Sequence, residues 1–91
     1  MNTPNEKPVL KVTVQHFNTI LYDGEASALS SINERGPFDI LPHHENFISL
    51  IKEKITLRFN GREEKSWQFT VAILKAYNDV INVFVEGVGG K

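Results

Sequence analysis

The chain has 91 residues and a formal net charge of −1, with 10 basic and 11 acidic residues. A chain of this length is expected to form one domain with one small core, and its balanced charge argues against binding nucleic acid or an anionic lipid surface. Because the sequence contains no cysteine, a disulfide framework and thiolate chemistry are both excluded.

The first half of the chain has the residue pattern of short β-strands. Residues 1–9 contain two prolines and several polar side chains, and we expect a flexible tail there. Residues 10–17 alternate apolar and polar side chains, as a half-buried strand does. After a turn, residues 19–33 form a second extended stretch, in which Gly24 predicts a bulge or a close backbone approach. A loop at residues 33–37 then precedes a short predicted strand.

The second half continues in the same way. Residues 46–59 predict two short strands around Lys52-Glu53-Lys54, since β-branched residues and alternation favour strands over a helix here. Asn60-Gly61 is the strongest hairpin signal, because both central residues of a type I′ turn need positive φ. Residues 65–86 add further strands, with a second two-residue turn at Asn78-Asp79. Three alternating side chains of this region are expected in the core: Trp67, Phe69 and Val71.

These elements together predict an all-β fold, a flattened β-sandwich or barrel of about ten short strands in a single domain at residues 10–86. The glycine-rich residues 87–91 are expected to be flexible. No stretch approaches the roughly 20 apolar residues that cross a bilayer, and the first residues lack the apolar run of a secretory signal. We therefore expect a cytoplasmic protein that reaches a membrane only through a partner.

The adjacent residues His43, His44 and Glu45 are the main candidates for chemistry. Neighbouring residues of an extended strand point to opposite faces, so the two histidines are expected to diverge and to lie at the rim of a surface. A tight turn after Pro42 would let them converge, which leaves a zinc site as the minor alternative. An acid–base pair with Glu45 would need a polar pocket, and the sequence supplies no second polar cluster.

Other catalytic and ligand-binding motifs are missing from the sequence. It has no glycine-rich loop followed by a helix that could bind phosphate, and no serine lies in a nucleophile elbow. The aromatic residues are scattered through the predicted strands, where they serve as core more often than as a platform for nucleic-acid bases. The sequence therefore favours a binding or structural module that needs no metal, cofactor or nucleotide.

The stretch GPFDILPHHENFISLI, residues 36–51, resembles the segment of the ATP synthase epsilon subunit that reads roughly G-x-x-G-I-L-P-G-H. Residues 10–32 resemble the first two strands of that family, including its glycine at Gly24, and residues 72–86 resemble its last hairpin. The resemblance needs almost no gaps over residues 10–86. The order and spacing of these segments indicate a divergent relative of the N-terminal domain of the epsilon subunit.

The chain departs from the family pattern at several glycines. Asp39, His43 and the pair Val71-Ala72 stand where the family has glycine, so His44 matches the family histidine. The family usually continues into a C-terminal helical hairpin, and this chain ends where that hairpin would begin. We therefore expect a form that docks on a rotor but lacks the part that inhibits ATP hydrolysis.

The resemblance implies a ten-stranded flattened sandwich without an active site, located at the foot of the central stalk. Such a domain binds the gamma subunit, rests on the polar loops of the membrane c-ring, and couples ion translocation to ATP synthesis or hydrolysis. It is peripheral to the inner face of the cell membrane, and only through the complex. By position, the residues implied to face the c-ring are Gly36, Pro37, Phe38 and Asp39, and those implied to contact gamma are His43, His44, Glu45 and Ser49.

Residues 47–51 are apolar at both strand parities, since Phe47 and Ile51 alternate with Ile48 and Leu50. Such a strand is buried on both sides, either by its own fold or by a partner, and we favour a partner. A free-standing β-sandwich that binds or regulates another protein is the alternative function, because a fold does not determine a function. A small metalloenzyme is the third hypothesis about the function.

Overall fold

The structure, a computed structural model, describes residues 8–59 and 63–86, and every regular element among them is a β-strand. The strands form one open sheet in the order β2-β1-β7-β6-β5-β3-β4, which confirms the predicted all-β single domain. Their bounds are β1 Leu10–His16, β2 Thr19–Ala26, β3 Ala28–Asn33, β4 Gly36–Ile40, β5 Phe47–Phe59, β6 Glu63–Tyr77 and β7 Val80–Val85. Residues 1–7 of the predicted tail, the Asn60-Gly61 turn and residues 87–91 lie outside the described residues.

The sheet folds over into two layers, and its two long strands belong to both. One layer contains β2, β1 and β7, followed by the C-terminal part of β6 and the N-terminal part of β5. The other contains the remaining parts of β6 and β5, followed by β3 and β4. Seven strands are described, instead of about ten, because β5 and β6 continue through a bend where the sequence predicts separate strands.

At the bend, β5 changes register against both of its neighbouring strands, β6 and β3. Lys52 pairs with Val71, but the next residue of β5, Glu53, pairs with Phe69, so Thr70 is an extra residue in β6. On its other side β5 also changes register against β3, and Glu53 has a φ of 75°. A bulge of this kind bends a strand and increases its twist. Both long strands therefore turn from one layer into the other at the same point.

The extra residue also changes which side chains of β6 face the core. Phe69 is buried before the bulge, and after it Ala72 and Leu74 are buried. Val71, expected in the core, is only partly buried, and Trp67 packs against the core from its margin. The large side chains that are fully buried come from both layers: Leu10, Val12, Val14, Leu29, Ile40, Ile51, Ile55, Leu57, Leu74, Ile81 and Val83.

An aromatic cluster joins the edge strand β2 to the opposite layer. The ring centre of Tyr22 lies 5.5 Å from that of Trp67 and 6.2 Å from that of Phe59. The Tyr22 hydroxyl donates to the carbonyl oxygen of Glu25 at 2.9 Å. This path takes the phenol over Gly24, where a Cβ would lie 2.8 Å from the phenol oxygen. Gly24 thus permits the close approach of a side chain.

The bulge of β2 lies elsewhere in the strand. Val14 pairs with Tyr22 while Gln15 pairs with Ile20, so Leu21 is the extra residue. At the other end of β2, Ser27 donates both its N–H and its hydroxyl to the carbonyl oxygen of Arg58, each at 2.8 Å. Two hydrogen bonds therefore support the aromatic cluster in joining the layers.

Two short turns have the predicted positions. Phe17, in the turn between β1 and β2, has a φ of 55°. Asn78 and Asp79 have φ values of 51° and 64°, the positive values that a type I′ turn requires. No helix that could span a membrane occurs within the described residues.

Alanine substitutions should destabilise the protein more at a fully buried core residue than at a partly buried one. Leu74→Ala should lower the free energy of unfolding by about 2–5 kcal/mol, the range for a fully buried leucine. Trp67→Ala should cost about 2–3 kcal/mol, because part of the indole is already exposed. Urea unfolding followed by far-UV circular dichroism measures both. An unchanged midpoint for Trp67→Ala would show that the aromatic cluster does not hold the layers together.

The pH dependence of stability should report on Tyr22. Burial raises the pKa of its phenol above the ordinary value of 10.0, and the carboxylates of Glu25 and Asp23 add to the rise. The unfolded chain then loses this proton before the folded one, so the contribution of Tyr22 to stability should be constant below about pH 10 and fall as the pH rises through it. In Tyr77→Phe, which retains Tyr22 as its one tyrosine, absorbance at high pH follows the phenol directly. A midpoint at or below the ordinary value would contradict this assignment.

Candidate partner-binding surface

One end of the sandwich is formed by the β4–β5 loop, residues 41–46, and the β6–β7 turn. The backbone N–H of His43 donates to Oδ1 of Asp79 at 2.6 Å. From the turn, the N–H of Asn78 donates to Oδ1 of Asn46 at 2.9 Å. The N–H of Lys11 donates to the carbonyl oxygen of Asp79 at 2.9 Å, which fixes the turn to β1. The loop is therefore held in place by side-chain acceptors.

His43 turns the chain sharply after Pro42. Its φ of 69° lies in the left-handed region, which glycine adopts without the steric cost that a Cβ meets. This is a position where the epsilon pattern has glycine, so the backbone shape fits that pattern while the side chain does not. The imidazole is 75% exposed, with Nδ1 3.7 Å from Oδ2 of Asp79.

His44 points the other way, into the protein. Its side chain is only 8% exposed, and its ring meets that of Phe47 edge-on, with centres 6.2 Å apart. Phe47 in turn meets Phe38 at 6.3 Å. Nδ1 of His44 lies 2.7 Å from the carbonyl oxygen of Glu45 and must carry a proton there, because a carbonyl oxygen only accepts. The buried Nε2 has no hydrogen-bond partner and lies 3.9 Å from Oδ1 of Asp79.

The two histidines diverge in their exposure, as predicted. Their imidazoles nevertheless share one polar neighbour. Both imidazoles lie within 4 Å of the Asp79 carboxylate, at 3.7 and 3.9 Å, because the tight turn brings them near it. Within residues 8–59 and 63–86, no three side chains of histidine, cysteine, aspartate or glutamate are arranged to hold a metal ion. The contacts of His43 and His44 attach the β4–β5 loop to the β6–β7 turn and to the core.

The four predicted residues of β4 lie on an edge of the sheet. Gly36, with a φ of 111°, begins the strand after the β3–β4 turn. Phe38 is partly buried and packs against the core, whereas Pro37 and Asp39 are exposed. The Asp39 carboxylate accepts a hydrogen bond from the Ser30 hydroxyl at 2.6 Å. Because proline has no N–H, Pro37 disfavours the addition of another strand at this edge.

Ser49 lies apart from the histidines, next to the β3–β4 turn. Its hydroxyl accepts from the Asn33 amide at 3.3 Å and donates to the carbonyl oxygen of Leu50 at 3.1 Å. Asn33 also accepts from the N–H of Arg35 at 2.9 Å. The predicted site residues thus occupy three places: the β4 edge, the 41–46 loop and the middle of the first half of β5.

A further surface lies beside them on the outward side of β5, β6 and β7, and we call it the outer face. Its large apolar side chains are 36–69% exposed, an unusual concentration for a surface that stays in water. An open groove of about 890 Å³ runs along Ile48, Tyr77 and Val80. The outer face consists of Ile48, Leu50, Ile73, Lys75, Tyr77, Val80, Asn82 and Phe84.

The sequence interpretation identifies this surface only on β5. There the structure agrees with it, because Ile51 points into the core while Ile48 and Leu50 are 69% and 65% exposed. The same signal extends to the other two strands, since residues 72–77 and 80–85 are also apolar at both parities except at Lys75 and Asn82. Counting the apolar residues of each parity in these strands would have found the whole outer face.

The attachment of the loop to the turn can be tested at Asp79. Asp79→Ala should lower the free energy of unfolding by about 1–3 kcal/mol, because it leaves the N–H of His43 without its charged acceptor. Asp79→Asn keeps an acceptor oxygen and tolerates the left-handed backbone, so it should cost less. Urea midpoints of the two variants give the difference. A wild-type midpoint for Asp79→Ala would mean that this carboxylate does not hold the loop.

The metal interpretation has its own test. Because one imidazole is exposed and the other is packed against Phe47, calorimetric titration of the purified protein with zinc should give no tight stoichiometric site. A single tight site that disappears in the double variant His43→Ala/His44→Ala would contradict this expectation.

The sequence matches no protein-family model, and no curated protein matches it either. Solved structures share its fold. One is a mitochondrial ATP synthase of Euglena gracilis, resolved as OSCP, F1 and c-ring in rotational state 1. A chain of that assembly matches with a TM-score of 0.79 and 10% sequence identity. The match covers 92% of this chain and 54% of that one. Another is the central stalk and c-ring of Tetrahymena thermophila mitochondrial ATP synthase, with a TM-score of 0.70 and 13% identity over 90% of this chain and 66% of that one.

The chain spans 54% and 66% of the length of these two chains, between about half and two-thirds. At identities of 10% and 13%, the likeness is one of fold. It agrees with the resemblance carried by residues 36–51, which comes from sequence and not from shape. The chain therefore has the fold of a component of ATP synthase assemblies that include the c-ring, as the resemblance to the epsilon subunit predicts.

Proposed function

We propose that the chain is a non-catalytic central-stalk component of an F-type ATP synthase, equivalent to the N-terminal domain of the epsilon subunit. In this role it binds the gamma subunit and the c-ring and helps to couple ion translocation to ATP synthesis or hydrolysis. The observation that carries the proposal is the fold shared over 92% of the chain with a component of the Euglena assembly, at a TM-score of 0.79. Attachment to the membrane through this complex is part of the proposal.

The surface chemistry of the chain supports binding more than catalysis. The groups that would have to act as acid or base, His43, His44 and Asp79, are bound to backbone groups or lie against one another at the loop–turn junction. The outer face, in contrast, exposes Ile48 and Leu50 at 69% and 65%. Exposed apolar area of this kind is stabilised when a partner covers it.

We assign the c-ring contact to the β4 edge, Gly36 to Asp39. Pro37 and Asp39 are exposed there, and Pro37 keeps the edge from pairing with a foreign strand. A carboxylate at an exposed edge suits the polar loops of a ring of identical subunits, which it can contact without burying apolar area. Asp39 is thus the residue of this edge whose charge matters most.

We assign the gamma contact to His43, His44, Glu45 and Ser49 with the adjoining outer face. His43 and Glu45 are exposed on the loop that Asp79 holds, and His44 supports that loop from inside. The loop and β5 are continuous in the chain, so a partner that covers Ile48 also meets the loop. This arrangement gives one largely apolar surface beside a polar loop, a combination that protein interfaces have.

Charge reversal on the β4 edge is the sharpest test of the c-ring contact. Asp39→Lys should weaken binding to the c-ring about tenfold and leave the domain folded, because the side chain is exposed. Asp23→Lys is the matched control. Asp23 is also exposed on an edge strand, at the other end of the sheet. Its carboxylate accepts a hydrogen bond from the Thr13 hydroxyl of the neighbouring strand at 3.5 Å. Equal loss of binding in both variants would contradict a local role of Asp39.

Reconstitution tests the proposed function as a whole. The chain is combined with the matching gamma subunit, catalytic head and c-ring, and binding and ion-coupled ATPase rates are measured with and without it. We expect binding to gamma and to the c-ring, and better coupling in its presence. Absence of binding to both would remove the rotor assignment and leave the alternative, a free-standing β-sandwich module with a partner outside ATP synthase.

A further inference from the structure

Lys75 lies at the centre of the outer face, among apolar side chains. Ile48 and Asn82 are its cross-strand neighbours, and Ile73 and Tyr77 flank it along β6. In the described part of the chain, the basic and acidic side chains within 4 Å of each other are Asp79 with the two histidines and Arg58 with Glu64, and none of these contacts involves Lys75. The residue is exposed.

Within its three strands, the outer face carries cationic but no anionic side chains. The outward positions of β5 before the bend, of β6 after it and of β7 contain no carboxylate. Lys52 on β5 is exposed and also cationic. Around the face, Lys11 of β1 pairs with Val80. Glu34 and Arg35 of the β3–β4 turn line the groove beside Leu50. A partner that covers the apolar residues must remove water from Lys75. It therefore either supplies a negative charge or bears the desolvation cost of an unpaired ammonium group.

The backbone of this surface excludes one way of binding. β6 already pairs with β5 and β7, and β7 with β6 and β1, so their N–H and C=O groups are used within the sheet. An added strand would find no free ladder here, and recognition must use side chains. The groove of about 890 Å³ and a second groove of about 690 Å³ along Leu50 and Lys52 both include Ile48, so they adjoin on either side of it. An amphipathic helix is the element that binds in such a groove through its side chains.

We propose that the outer face docks an amphipathic helix of a partner protein, and that one carboxylate within the apolar stripe of this helix pairs with Lys75. The surrounding Ile48, Ile73 and Tyr77 exclude water from the pair, which strengthens the attraction and makes the charge a determinant of specificity. The identity of the partner, the gamma subunit, rests on the proposed function. The chemistry of the helix rests on the outer face alone.

The chemistry is tested with two synthetic helical peptides. Both carry leucine at i, i+3, i+4 and i+7, and they differ only in a glutamate or a lysine at the centre of this stripe. Fluorescence anisotropy should show that the protein binds the glutamate peptide about tenfold more tightly than the lysine peptide. In Lys75→Glu the preference should invert. Lys65→Glu is the matched control, since Lys65 is exposed on the other half of β6, 5.8 Å from the Tyr22 ring centre, and should keep the wild-type preference.

The same assay with purified gamma subunit separates this inference from the proposed function. Equal affinity for the two peptides, or a preference that Lys65→Glu changes as much as Lys75→Glu, would overturn the docking proposal. Discrimination between the peptides without binding of gamma would retain it and remove the rotor assignment. Binding of gamma with equal affinity by wild type and Lys75→Glu, and no discrimination between the peptides, would retain the rotor and overturn the role of Lys75. Unchanged urea midpoints ensure that each variant is folded.

Discussion

The paired bend of β5 and β6 is the constraint on which the rest of the structure depends. Without the extra residue Thr70, the register Lys52–Val71 would continue straight, and two strands of 13 and 15 residues would form one long flat ribbon. The bulge lets each strand serve both layers and moves the buried positions of β6 from Phe69 to Ala72. One irregularity thus sets the two-layer shape, the composition of the core and the outward direction of Ile73, Lys75 and Tyr77.

A second constraint acts at the end of the sandwich, where backbone strain and a carboxylate act together. The positive φ of His43 carries a steric cost for any residue with a Cβ. Asp79, whose φ is also positive, accepts a hydrogen bond from the backbone N–H of His43. The sharp turn places one histidine in water and the other in the core. The same pair of residues in an extended strand would have alternated between two faces without sharing the Asp79 carboxylate. The loop is thus held close to the groove without belonging to the sheet.

These features give the protein two chemically different surfaces. The β4 edge is polar, resists strand addition through Pro37, and carries the exposed charge of Asp39. The outer face is apolar with a central cation, and its backbone is fully used within the sheet. The proposed function, with two partners of different character, requires such a separation, and a sandwich supplies it by exposing an edge and a face that point in different directions.

The sequence by itself determined the all-β class, the single domain, the turns at Phe17 and at Asn78-Asp79, and the resemblance that the shared fold supports. These follow from local alternation, from positive φ at turn residues and from a motif that is contiguous in the chain. It did not determine that residues 47–59 form one bent strand, that Val71 leaves the core, or that both histidines share Asp79. Nor did it extend the outer face beyond β5. Each of these depends on which residue lies opposite which across the sheet. Only the tertiary structure decides that, because the register between strands is set by the packing of both layers on one core.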